Sequence, residues 1–206
     1  MKDAALGFRA HSGWTALVAL SVSKGSPLVV ERQRVHLVEV FTYEFRQPYH
    51  TAEKMPPSGA RAFISRVQAE AKRLAYRAIH GLQGSLQKQG YELSRCGLLL
   101  ASGKPLPGLE KILASHALIH TADGVLFREA LLHASARCGL PVLSVKEREL
   151  LDRAEQTLRL KPADLARRTT ELGRPLGAPW SQDEKFASLA AWLALASKSS
   201  SALRAS

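Results

Sequence analysis

The hydrophobic period of this chain changes once, near Gly59, and that change limits the folds open to it more than any other feature. Before it, "ALGFRA" and "WTALVALSV" are short β-segments parted by the turn-forming "HSG". "PLVVERQRVHLVEVF" then follows the "SKGSP" turn as a long strand with polar residues interleaved. Strands joined by such short turns pair as an antiparallel meander. After the change, Phe63, Val67, Leu74, Ala78 and Leu82 recur near the helical period, which predicts a long helix over Ala60 to Gln87. "RCGLLLAS" is next, a continuous apolar run of the kind found in strands covered on both faces.

Beyond the "GKPLPG" break, "LEKILASHALIHT" and "GVLFREALLHASARCG" read as helices, the second ended by Gly139. "LPVLSV" reads as a second buried strand, and helices about Pro162 to Leu172 and Ser181 to Ala196 follow, joined across "GRPLGAPW". A length of 206 residues, 46% hydrophobic and 23% charged, suits one substantial core, so residues 1–196 are expected to form a single domain. "SKSSSALRAS" lacks an apolar face, and residues 197–206 are expected to be a disordered tail. "MKDAALGFRAHSGW" turns polar by Arg9 and no apolar run reaches membrane-spanning length, so a cytoplasmic location without membrane contact is expected. Cys96 and Cys138 stand apart without metal-ligand spacing, as reduced buried thiols do.

Twenty-nine Lys and Arg against eighteen Asp and Glu give a net charge of +11. That excess favours an anionic partner, DNA or RNA, through phosphate contacts and counterion release. The basic residues are spread along the chain, as in "ERQRVH", "RLAYR" and "LARRTTELGR", with no like-charge block. P-loop, dinucleotide, α/β-hydrolase and zincin motifs are all missing.

The order strand, strand, strand, helix, strand, helix, strand, helix resembles the ribonuclease H-like superfamily. The resemblance implies an α/β fold in which an antiparallel N-terminal meander leads into a mixed sheet of alternating helices and parallel strands. "ALGFRAHSGWTALVAL" has the outline of the opening hairpin of RuvC-type resolvases, and "CGLPVLSVKERELL" followed by "DEKFASLAAWLALA" resembles their ending. In element order the likeness covers residues 4 to 196. "QPYHTAE", "LASHALIHTADGVLFREAL" and "PWSQDEKFASLAAWLAL" resemble a group of bacterial proteins to which no chemistry is attached.

What the superfamily resemblance implies is a nuclease whose carboxylates hold two divalent cations that activate water and stabilise the leaving oxygen. The first acid belongs in the middle of the opening strand. Here "GFRAH" puts Phe8, Arg9 or Ala10 there, and no carboxylate lies between Asp3 and Glu31. A cation beside Arg9 meets repulsion, so the two-metal centre is expected to be altered or lost. Asp183 keeps the place of the last acid and is a candidate catalytic residue, with Lys185 placed for an anion. Ser181 and Glu184 also fit an S-x-x-E capping box, which gives the acids there a structural alternative.

"SHALIHTADGVLFREALLHA" is the other concentration of chemistry. If Leu109 to Phe127 is one helix, His116, His120, Asp123 and Phe127 share a face, and His116, His120 and Asp123 become candidate metal ligands. His120 and Asp123 are also candidates for acid/base catalysis. Against this, Gly124 is expected to interrupt the helix, leaving Thr121 or Asp123 to cap the next one and the histidines to bond between helices. Arg9, His11, His50, Arg128 and Lys185 make up a candidate substrate-binding set, with His11 and His50 in loops where sites tend to lie.

Three functions stay open. The first is nucleic-acid binding or processing with an altered metal centre. The second is metal- or histidine-dependent hydrolysis of a small phosphorylated or nucleotide substrate. The third is a non-catalytic protein-interaction module. A divalent metal is the cofactor left open, and the sequence sets no oligomeric state.

Overall fold

The computed structural model describes residues 1–101 and 105–202, with side chains through 197. Strands β1 (Lys2–His11), β2 (Trp14–Ser23) and β3 (Ser26–His36) form the antiparallel meander. Two short helices, α1 (Tyr43–Arg46) and α2 (Pro48–Ala52), precede the long α3 (Pro57–Lys88) and strand β4 (Tyr91–Leu100). Then come α4 (Leu109–Leu113), α5 (His116–Arg137), β5 (Val142–Lys146), α6 (Leu150–Leu158), α7 (Pro162–Glu171) and α8 (Gln182–Ala202). The expected tail overlaps the end of α8, and residues 203–206 lie outside the described residues. Among the described residues, no helix is long and apolar enough to cross a membrane.

The five strands lie in the order β3-β2-β1-β4-β5, with β1, β4 and β5 parallel to one another. Alternation along β1 divides the core between the two faces. Ala4, Leu6, Phe8 and Ala10 pack under α3 and α5, while Ala5 faces the layer built with α6, α7 and α8. Each large fully buried side chain, such as Phe8 or Phe127, contributes about 1.5–3 kcal/mol by leaving water.

α8 crosses the sheet at two glycines. A Cβ on Gly7 would stand 1.8 Å from the Ala187 carbonyl oxygen, and one on Gly97 2.2 Å from that of Ala190. The absent side chains let the helix backbone rest on β1 and β4. At the far side, Arg32 of β3 donates to the carbonyls of Leu176, Gly177, Ala178 and Pro179, holding the loop that leads to α8.

Several local expectations need correction. The third strand stops at His36, which pairs with Trp14 at the start of β2; its ladder partner ends there, and Leu37 and Val38 turn into the core. In α3 the buried stripe runs from Phe63 and Val67 through Ala71, Ala75 and Ile79 to Leu82, at steps of three and four, and Leu74 and Ala78, each one position off it, are only half-buried. β5 is an edge strand in which only Val145 is buried, although Val142 and Leu143 still pack against the layers on opposite faces, so "LPVLSV" is a partly exposed strand and not a buried one. Helix α6 was not foreseen in the stretch after β5.

The helix break falls at Ala114 and Ser115, and α5 continues through Gly124. Gly124 is the seat of the Arg128 side chain, whose Nη1 would lie 2.6 Å from an added Cβ. α5 instead ends as expected at Gly139, which has φ +71° while the Leu140 amide donates to the Ser135 carbonyl at 2.9 Å.

Candidate functional site

Because β1, β4 and β5 are parallel, their carboxyl ends open on one edge of the sheet, the usual place for sites in α/β folds. An open cleft of about 710 Å³ lies there, lined by Ala101, His120, Gly124, Arg128, Glu147 and Phe186 among others. Two polar clusters flank it.

The first is built on Arg9, whose register sends it toward α8. Its guanidinium donates to both oxygens of Glu147, at 2.6 and 3.2 Å, and to Asp183 Oδ1 at 2.6 Å. The Phe186 ring lies beneath it, 5.1 Å from the guanidinium carbon. Burial alone would lower the Arg9 pKa, but the hydrogen bonds and charges of Glu147 and Asp183 outweigh it and the pKa is raised. His11 Nε2 also meets Asp183 Oδ1, at 2.8 Å. The two acids at the start of α8 thus divide their work: Glu184 accepts from the Ser181 amide and hydroxyl at 2.7 and 2.6 Å as a capping box, and Asp183 turns to Arg9 and His11.

From His11 a line of stacked rings and guanidinium groups leads away. His11 stacks on Trp14 at 4.4 Å, Arg34 lies 3.8 Å over Trp14 and 5.9 Å from Phe41, and Arg46 lies 4.5 Å over Phe41. Alternation of cation and π-face holds such a ladder together.

The second cluster gathers side chains from α2 and α5. His50 Nδ1 meets Asp123 Oδ2 at 2.5 Å, and Asp123 Oδ1 accepts the Tyr49 amide at 2.7 Å. Asp123 is 2% exposed, and burial raises its pKa against the opposing pull of Tyr49, His50 and His120. His116 and His120, one helical turn apart, bring their Nε2 atoms to 3.0 Å of each other. One ring nitrogen from each of His50, His116 and His120 lies within 4.8 Å of the others. Asp123 therefore does not cap a helix of its own segment.

The proposed site residues fall into groups. His116, His120, Asp123 and His50 meet; Arg9, His11 and Asp183 meet; and Arg128, donating to the Leu99 carbonyl at 3.2 Å, shares the cleft with His120. Burial lowers the Arg128 pKa, with Glu147 pulling the other way. Lys185 lies elsewhere, in a groove beside Leu151, Thr169 and Leu189. Glu147 was missed by sequence reasoning; its one signal was a place immediately after the strand "VLSVK".

Glu147 and Asp183 are thus both engaged by one guanidinium, that of Arg9.

No family model and no curated protein matches the chain. Among solved structures it is similar to Thermus thermophilus RuvC in complex with Holliday junction substrate, with TM-score 0.55 and 11% identity over 96% of each chain. A second Thermus thermophilus RuvC structure is similar with TM-score 0.53 and 12% identity, also over 96% of each chain. The chain has the ribonuclease H-like α/β fold, with a five-stranded mixed sheet between two helical layers.

Proposed function

We propose that this protein binds nucleic acid along the Arg46–Phe41–Arg34–Trp14–His11 ladder and the adjoining cleft, with a carboxylate centre altered by Arg9. The ladder carries the reading. It brings the guanidinium groups of Arg34 and Arg46 into one line for phosphate contacts, each held over the ring it stacks on. The net charge of +11 acts in the same direction. The fold likeness to a RuvC bound to a Holliday junction makes branched DNA the first probe.

Fluorescence anisotropy with junction, duplex and single-stranded DNA and with RNA tests it. Affinity should fall steeply with salt, and Arg34→Ala should reduce the slope of log K against log salt by about 0.7–0.9, the share of one phosphate contact. Trp14→Ala, which removes the ring that holds Arg34, should weaken binding to single strands and duplex alike. Binding that is flat in salt, or indifferent to both changes, rejects the proposal. Cleavage with magnesium or manganese should stay at background; vigorous cutting rejects an altered centre.

A second reading, hydrolysis of a small phosphorylated or nucleotide substrate, draws on His120 and Arg128 facing one cleft. A phosphatase activity abolished by His120→Ala would favour it over nucleic-acid binding.

A further inference from the structure

We propose that His50, His116 and His120 form a site for one divalent transition-metal ion of the zinc type, and that Asp123 positions His50 within it. This site is separate from the place on the opening strand that Arg9 occupies.

The geometry has three parts. First, the ring centroids of His50, His116 and His120 are 4.4–5.5 Å apart and every pair is steeply inclined, so the rings converge on one point edge-first rather than stacking. Second, the spacing of nitrogens suits an ion. Two imidazole nitrogens at ~2.0–2.1 Å from a tetrahedral zinc stand about 3.3 Å apart, and His116 Nε2 and His120 Nε2 are 3.0 Å apart. Third, the carboxylate does not compete for the ion. Asp123 holds the Nδ1 side of His50 at 2.5 Å and is itself fixed by the Tyr49 amide. That bond assigns the proton of a neutral His50 to Nδ1 and leaves Nε2 as its lone-pair donor. A carboxylate behind a ligating imidazole is the arrangement that orients the ring and raises its basicity.

A divalent cation would take the place of the proton that His116 and His120 share at 3.0 Å. Three protein ligands also leave a fourth position for water or substrate. His120 lines the cleft too, so the ion would stand in the wall along which an anionic ligand lies.

The test uses the untagged full-length protein, stripped with chelator, and cobalt(II) as probe. Cobalt should bind at one per chain, with the intense visible absorption of a four-coordinate ion, and zinc(II) should displace it. His116 and His120 are exposed, so His116→Ala and His120→Ala should keep the fold by circular dichroism, yet each should lower cobalt affinity at least 100-fold. Asp123→Asn should keep the stoichiometry and lose about 10–100-fold in affinity. If the parent binds cobalt no better than the His116→Ala/His120→Ala double variant, the site does not exist. If Asp123→Asn binds as tightly as the parent, Asp123 has no positioning part. Both readouts are independent of DNA binding, so this proposal and the nucleic-acid reading fail separately.

Discussion

Arg9 makes three hydrogen bonds to two carboxylates while its side chain is only 19% exposed, so its loss leaves Asp183 with His11 alone and deprives Glu147 of its guanidinium partner. Arg9→Ala should cost about 1–2 kcal/mol in urea unfolding, less than the ~3–5 kcal/mol of a fully buried pair because water screens this one. Two acids released from the guanidinium also offer ligands to a cation: manganese should raise the melting temperature of Arg9→Ala more than that of the parent. Two further groups set the behaviour in alkali. Burial pushes the Cys96 thiol and the Tyr49 hydroxyl up to about 12, Glu129 and Asp123 adding to the effect on Tyr49. Raised folded values mean that folding holds these protons. Their contribution is complete below the unfolded values, about 9 and 10, and is lost as pH rises toward 12. Stability should therefore decline by about 1.4 kcal/mol per pH unit for each group through that range, as thermal melts across pH will show.

At the scale of elements, the contact between α8 and the sheet fixes where Asp183 stands. Gly7 and Gly97 are the points of closest approach, so the position of the helix depends on two residues without side chains. Gly97→Ala should destabilise at the upper end of the about 1–3 kcal/mol typical of overpacking, measured by denaturant unfolding. The displaced helix should also weaken the Arg9–Asp183 contact. α5 shows the reverse relation between sequence and element. Gly124 and the cluster of polar residues suggested a break in the middle, but tertiary packing of Ile119, Ala122, Leu126 and Phe127 keeps the helix whole, and the break moved to Ser115. Continuity is what sets His116, His120 and Asp123 on one side facing α2.

For the whole molecule, the charge of +11 gathers around no single segment of the sequence, yet the fold brings Arg9, Arg34, Arg46 and Arg128 to the edge where the parallel strands end. A ligand that binds only the folded state stabilises it by mass action, about 2.7 kcal/mol at a hundred times its dissociation constant. Added DNA should thus raise the melting temperature at low salt, and the rise should vanish at high salt as counterion release loses its drive. A rise that persists at high salt would point to a contact other than the phosphate backbone.

The sequence by itself determined the meander, the long third helix, the alternation that followed and the guanidinium on the opening strand, because hydrophobic period and turn chemistry are local. It also gave both uses of the residues that begin the last helix, capping and charge, without dividing them between Glu184 and Asp183. Only the tertiary structure paired Arg9 with Glu147 across 138 positions and His50 with Asp123 across 73. Such partners are chosen by how the layers pack over the sheet, and no spacing along the chain records it.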